Sequence, residues 1–443
     1  MSNFFWQKPQ FGRRLLFKHA ATAVGGYFLS PLDRAARAAE PIGKAKYCIF
    51  VLMGGGPSHV DTFDLKEGGW LPTAFAPASF EGVRWPQGLM PRIAEHLDSV
   101  ALLRSVRSKA AVHELAQNWI QIGRNPVAST SRIAPHIGSV VARELSPQNS
   151  DKTLPPFLAL NAAATMPANG YLPPENSPFF VTPGGTGLGN TAHRDGTAAF
   201  DRRYDLLLKL DAEERALNEL GPGTREMAQF NLAARLLMYN SRVDAAFTFA
   251  ADERLRYGNS GFGNACITAR NLLRANLGVR FIQISVGGWD NHANIYTTLN
   301  PANANSLGRQ FDTGLGTLLG DLKNDGLLQD TLVVAMGEFG RTVGTLNSQG
   351  GRDHFLQQSV FFAGAGIRGP RAIGRTDNAG SVTVETGWAR DRDIRPEDIE
   401  ATIYSALGID WTKTDPNTPI GRAFEYVPKI DGIEYAPVHE LWS

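Results

Sequence analysis

The chain has 443 residues, with 44 Lys and Arg against 43 Asp and Glu, so its formal charge at neutral pH is +1. That balance supplies no basic field for nucleic acid or an anionic membrane. With 43% hydrophobic residues, 20% charged residues and two cysteines, the chain is neither disordered nor a disulfide-stapled miniature, and it is long enough to bury a large core.

The first 38 residues stand apart from the fold. Gly12-Arg13-Arg14-Leu15-Leu16-Phe17-Lys18 leads into a mildly apolar stretch from Ala20 to Leu29, which closes on Ala35-Ala36-Arg37-Ala38-Ala39. Paired arginines, a weak apolar core and an Ala-x-Ala site, in that order, resemble a bacterial twin-arginine export signal. The apolar stretch is too short to form a stable membrane span. This resemblance implies the twin-arginine export machinery as a partner and a periplasmic or extracellular destination; the alternative is an amphipathic helix capping the domain. Cleavage after Ala38 would remove six basic residues and one acid, leaving a mature chain of net negative charge.

Further along, Tyr47 to Met53 is an unbroken apolar run stopped by Gly54-Gly55-Gly56-Pro57, the pattern of a central strand buried on both faces. Similar runs predict strands at 100–103, 157–160, 279–284, 331–336 and 359–363. Apolar residues at three-to-four spacing predict helices at 111–120, 133–145 and 306–323. In the last of these Leu307, Phe311, Leu315, Leu318, Leu319 and Leu322 form one stripe, with Asp312 and Asp321 off it. Strands alternating with helices argue for an α/β fold with a mostly parallel central sheet and helices on both faces. From about 200 to 276 there is no strand pattern, which suggests a helical insertion. Pro396 to Leu407 reads as a helix with Pro and two acids in its first turn and Gly408 as its stop. Cys48, in the first strand, and Cys266, at a helix start, read as unpaired buried thiols.

Ligands of a parallel sheet bind beyond the carboxyl ends of its strands, and the polar residues gather there. The first strand leads into Ser58, His59 and Asp61, and the strand at 279–284 into Asp290 and His292. The strand at 331–336 leads into Glu338 and Arg341, and Arg352-Asp353-His354 stands just before the strand at 359–363. Each cluster also has a structural reading. The glycines allow a tight turn, Ser58 could cap a helix, and Glu338 with Arg341 could be an ion pair. Together, imidazole and carboxylate in one cleft suit zinc or manganese; calcium or magnesium, also possible, would use more oxygen.

At these residues the chain resembles the DUF1501 family. The resemblance is carried by Leu52-Met53-Gly54-Gly55-Gly56-Pro57-Ser58-His59-Val60-Asp61-Thr62-Phe63-Asp64, Gly287-Gly288-Trp289-Asp290-Asn291-His292 and Met336-Gly337-Glu338-Phe339-Gly340-Arg341-Thr342. Gly351-Arg352-Asp353-His354, Ala363-Gly364-Ala365-Gly366-Ile367 and the segment from Ala401 to Asp410 complete it. It runs from about 45 to 425 as one domain, with 426–443 as a C-terminal tail. The family is similar in fold to the alkaline phosphatase and sulfatase superfamily, which hydrolyses phosphate and sulfate esters with metals at strand ends. The resemblance implies metal ligands among Asp61, Asp290, His292, Glu338, Asp353 and His354. Ser58, His59 and His113 become candidates for covalent or acid–base work, with metal binding as the other role open to His113, and Arg341 and Arg352 for a clamp on an anionic group. Two departures stand out. The first strand ends in glycines where that superfamily has an aspartate, and the helix near Ala111-Val112-His113-Glu114 opens without Ser, Thr or Cys. A metal-activated water would remove the need for a side-chain nucleophile. The expected function is thus an exported metal-dependent hydrolase of a small phosphorylated or sulfated ester; the alternative is a non-catalytic binding or structural protein on the same fold.

Overall fold

The computed structural model describes residues 40–443 except 129, 130, 132, 213–221 and 431. The expected export segment therefore lies outside the described residues. Glu40–Ser443 forms one compact unit. Among the described residues, no helix is long and apolar enough to cross a membrane.

An eight-stranded sheet forms the centre: β1 (Tyr47–Met53), β2 (Val100–Arg107), β3 (Phe157–Leu160), β4 (Phe179–Val181), β5 (Phe281–Val286), β6 (Thr331–Met336), β7 (Gln357–Gly364) and β8 (Arg371–Ile373), in spatial order β8-β2-β7-β6-β1-β5-β3-β4. β1 pairs in parallel with β5 and β6, and every residue of β1 is buried, as its unbroken apolar run requires. β7 is antiparallel to both of its neighbours, β6 and β2. That reversal positions the site: the residues just before β7 emerge at the same rim as those following β1, β2, β5 and β6.

The longer helices are α1 (His113–Ile122), α2 (Ile137–Leu145), α3 (Thr197–Leu210), α4 (Pro222–Leu237), α5 (Ser241–Phe247), α6 (Ala251–Arg256), α7 (Gly261–Ala275), α8 (Leu307–Asn324) and α9 (Pro396–Ala406). α7 and α8 share a core with Ile49, Val51 and Met53 on one face of the sheet. α1 and α2 cover the other face. There Gln283 of β5 donates to Gln121 at 3.0 Å, and Gly138 lies against Phe157 and Phe281. Between β4 and β5 the chain runs through α3 to α7, helical where a strand pattern is lacking in the sequence. Residues 426–443 are packed against the unit, with Tyr435, Val438 and Leu441 buried. Cys48 and Cys266 are free and buried.

α8 starts at Ser306, whose side chain accepts from Arg309 N, and its apolar stripe is buried from Phe311 onward, with Leu307 partly buried. Each such side chain contributes about 1.5–3 kcal/mol relative to exposure, more than helix propensity alone provides. Asp312, expected to stand off the stripe, is fully buried instead. It accepts from Ile93 N at 2.9 Å and Arg92 N at 3.2 Å, closing the first turn of the short helix Pro91–Ala94. The sequence pattern could not reveal a backbone partner about 220 residues away.

Burial is the largest influence on the Asp312 carboxyl and lifts it to about 6, against the pull of the two N–H bonds. Between about pH 4, where the unfolded carboxyl titrates, and pH 6, the native state holds a proton that the unfolded state has released. Its contribution to stability therefore falls as the pH rises through that window. In denaturant titrations, the stability of wild type relative to Asp312→Asn should decline by roughly 2–3 kcal/mol across it. Asp312→Ala, which strands two N–H groups, should cost about 2–4 kcal/mol at pH 5.

Candidate metal centre

Each loop at the rim approaches its neighbour through a glycine. Gly55 has φ +112°, and a Cβ there would stand 2.4 Å from Asp290 N, so the turn after β1 can lie against the Asp290 loop only without a side chain. A Cβ on Gly351 would fall 2.1 Å from the His292 carbonyl carbon. With Arg352 N donating to Asn291 O at 2.9 Å, that close contact draws the His354 segment against the His292 loop. His354–Phe355 then pairs with Gly340–Arg341. His113 is the first residue of α1, which follows β2 across the same rim. Ser108, in the loop leading to it, donates to Glu338 O at 2.8 Å and accepts from Gln358 at 2.6 Å.

These approaches bring His113, Asp290, His292 and His354 together, with one ligand atom from each and all of those atoms within 4.8 Å of one another. Asp290 Oδ1 lies 3.0 Å from His292 Nε2, 3.3 Å from His113 Nε2 and 3.5 Å from His354 Nε2. His292 Nε2 and His354 Nε2 are 3.0 Å apart. Ligand atoms bonded tetrahedrally at 2.0–2.1 Å stand roughly 3.3 Å apart, so these spacings fit one small divalent ion.

The other nitrogen of each ring supplies the stronger sign. His113 Nδ1 is 2.6 Å from Glu338 Oε1, His292 Nδ1 is 2.7 Å from Asp353 Oδ1, and His354 Nδ1 is 2.8 Å from the Ala111 carbonyl. All three partners are acceptors. Each Nδ1 therefore holds its hydrogen outward, and in the neutral ring each Nε2 then has its lone pair toward the shared centre, the arrangement in which histidines bind metals. His113 Nε2 is buried without a hydrogen-bond partner. The side chains of Asp290 and His292 are 45% and 43% exposed, so water and a substrate can reach the centre.

Arg341 closes the centre from below. Its Nη2 donates to Asp290 Oδ1 at 2.5 Å and to the Gly55 carbonyl, its Nε to Gly56 O at 2.8 Å, and its Nη1 to Arg352 O at 3.0 Å, with His292 Nε2 at 3.4 Å. Partial burial works to lift the Asp290 carboxyl. The hydrogen bond and charge of Arg341 outweigh it and hold the group below the usual carboxylate range. Hydrogen bonds from His292 and Asn347 lower the Asp353 carboxyl as well.

Of the six side chains expected as metal ligands, Asp290, His292 and His354 meet at one point. Glu338 and Asp353 stand one layer back, each on the far nitrogen of a histidine. Glu338 also accepts from Gly55 N at 3.0 and 3.2 Å and from Gln117 at 2.9 Å. Asp61 is elsewhere: fully buried, it pairs with Arg352 Nε at 2.7 Å and accepts from Ser58 at 2.6 Å and Tyr296 at 3.0 Å. Ser58 thus spends its hydroxyl on Asp61 and does not reach the centre. His59 is buried, with Nε2 2.8 Å from Gly380 O, and burial pushes its imidazole down. The expected clamp of Arg341 and Arg352 does not form, because both guanidinia are buried and bonded to the protein. His113, expected in acid–base work, joins the ligand cluster. Gln117 was missed; its signal was the four-residue spacing that places it on the same helical face as His113.

Among solved structures, the phosphonate monoester hydrolase SpPMH from Silicibacter pomeroyi is similar over 90% of this chain and 76% of its own, at 12% identity and a TM-score of 0.42. The PsFucS1 sulfatase from Pseudoalteromonas sp. is similar over 85% of this chain and 70% of its own, at 13% identity and a TM-score of 0.38. A protein in the alkaline phosphatase superfamily from Vibrio parahaemolyticus covers 84% and 69%, at 11% identity and a TM-score of 0.37. No curated protein matches the chain by sequence. The family described as "Protein of unknown function (DUF1501)" matches residues 45–427, nearly all of the described unit, and the protein belongs to that family.

Proposed function

We propose that the protein is an exported, metal-dependent hydrolase of phosphate or sulfate esters that uses water, not a side chain, as its nucleophile. The observation that carries this reading is the convergence of three Nε2 lone pairs and one carboxylate oxygen on a single solvent-facing point. Zinc or manganese is the ion proposed. Held there, it would supply Lewis acidity and a water acidified toward neutral pH.

The chain's own residues have separable tasks. His113, His292, His354 and Asp290 would bind the ion. Glu338 and Asp353 orient the His113 and His292 rings and fix their tautomers. Arg341 keeps Asp290 ionised. Among the described residues, no Ser, Thr or Cys side chain is hydrogen-bonded to any of the four cluster side chains, which supports a water nucleophile. Export rests on Arg13 and Arg14, the apolar stretch and the Ala-x-Ala site.

Elemental analysis of the purified mature protein should find about one zinc or manganese per chain, as expected for a single four-ligand site. His292→Ala and His354→Ala should each lose the metal and hydrolysis of aryl phosphate or sulfate esters together, with the circular dichroism spectrum retained. Loss of melting temperature in those variants, with no ester turned over by wild type, would instead identify a structural site in a non-catalytic protein. Glu338→Gln should weaken zinc binding about 10- to 100-fold in a chelator competition, the usual effect of removing a partner behind a metal-bound histidine. Changing Arg13 and Arg14 together to Lys should leave the precursor in the cytoplasm in a fractionation assay.

A further inference from the structure

We infer that the group hydrolysed carries a single negative charge, as in a sulfate monoester or a phosphate diester, and that the centre discriminates against dianionic phosphate monoesters. This rests on the hydrolase reading and narrows its substrate.

The argument is the charge inventory of the centre. Three carboxylates surround it: Asp290 in the cluster, Glu338 behind His113 and Asp353 behind His292. Among the described residues, Arg341 is the one Arg or Lys that forms an ion pair with any of them. The three histidines are neutral when they offer Nε2 to an ion. One guanidinium and one divalent ion therefore balance three carboxylates, and the loaded centre has no net charge. The neighbouring Asp61–Arg352 pair cancels itself.

No guanidinium is left to face the substrate either. Four of the five N–H directions of Arg341 go to Gly55 O, Gly56 O, Arg352 O and Asp290, and the fifth points inward at His292 Nε2, 3.4 Å away, not at a substrate. Arg352 is turned inward to Asp61, Thr342 O and Gly344 O. A dianionic phosphoryl group is ordinarily held by bidentate guanidinium donors, and here it would meet none. What remains is the first turn of α1, which starts at His113, has no side-chain cap and carries the exposed carboxylate of Glu114, an offset to part of the charge at the helix end. Such a helix end provides about half a positive charge and free N–H donors. That is suited to one anionic charge and leaves a second uncompensated.

The test uses the zinc-loaded protein at pH 8. Calorimetric titrations with diethyl phosphate and methyl sulfate, both monoanions, are compared with phenyl phosphate, a dianion. At least one monoanion should bind about tenfold or more tighter than phenyl phosphate, the scale expected for one uncompensated charge at a partly screened site. Equal or tighter binding of phenyl phosphate overturns the inference, and so does failure of all three to bind. Turnover of bis(p-nitrophenyl) phosphate and p-nitrophenyl sulfate then separates diester from sulfate. If the monoanion preference holds but no aryl ester is hydrolysed, the hydrolase reading falls, and the inference with it as far as a substrate is concerned, leaving a centre that binds monoanions in preference to dianions. Asp353→Asn, checked for zinc content, removes one negative charge and should move the binding ratio toward phenyl phosphate by roughly 3- to 30-fold; an unchanged ratio counts against the inventory.

Discussion

Two imidazole nitrogens 3.0 Å apart, neither bearing a hydrogen, repel one another unless a cation lies between them. His292 and His354 stand at that distance, and with their opposite nitrogens bonded to Asp353 and to the Ala111 carbonyl their neutral rings are in that state. His113 repeats the pattern through Glu338. The chain thus sets three acceptors, Glu338 buried, the Ala111 carbonyl partly buried and Asp353 exposed, behind the three rings. A surface ion-pair network has no need of such an arrangement, since it would be satisfied by protonated rings facing carboxylates directly. Much else at the rim serves that constraint. Gly55 and Gly351 remove the side chains that would hold the loops apart, and the Ser108–Gln358–Glu338 bonds hold the approach to His113 in place.

The topology makes this convergence possible. In a wholly parallel sheet, each strand delivers one loop to the ligand-binding rim, and the segment before a strand belongs to the opposite end. Reversing β7 places Arg352, Asp353 and His354 on the binding side, beside the loop from β5. The cluster combines residues that follow strands, Asp290 and His292, with one that precedes a strand, His354. His113, the first residue of a helix, completes it.

Much of this was legible in the sequence, for definable reasons. Strands buried on both faces must be apolar at every position, so the runs at 47–53 and 331–336 mark β1 and β6 to the residue. Histidines beside acids in glycine-rich loops at strand ends marked the rim. The sequence could not show which acid of a neighbouring pair faces the centre and which backs a histidine. Asp290 and Asp353 both neighbour histidines in the chain, yet only Asp290 lies in the cluster. Arg352 and Asp61 are a buried pair separated by 291 residues. In sequence, each is simply a charged residue next to a candidate ligand, and only the fold reveals that they neutralise each other. Asp312 was misread for a related reason: its partners are backbone N–H groups on a distant turn, which leave no trace in hydrophobic periodicity.

Arg341 bonds to a carboxylate that also belongs to the cluster. A buried guanidinium is costly unless its donors are satisfied; here backbone carbonyls of Gly55, Gly56 and Arg352 take most of them, and Asp290 completes the set. The arginine thereby ties the β1 turn, the Asp290 loop and the His354 segment into one rigid rim before any ion arrives. Its charge also makes Asp290 a weaker donor, since part of the carboxylate's negative charge is already engaged. A centre with three neutral imidazoles and one shared carboxylate leaves a bound ion more electron-poor than two free carboxylates would. In the proposed hydrolysis, a rigid site with a single carboxylate bonded directly to the ion would suit polarisation of a substrate oxygen.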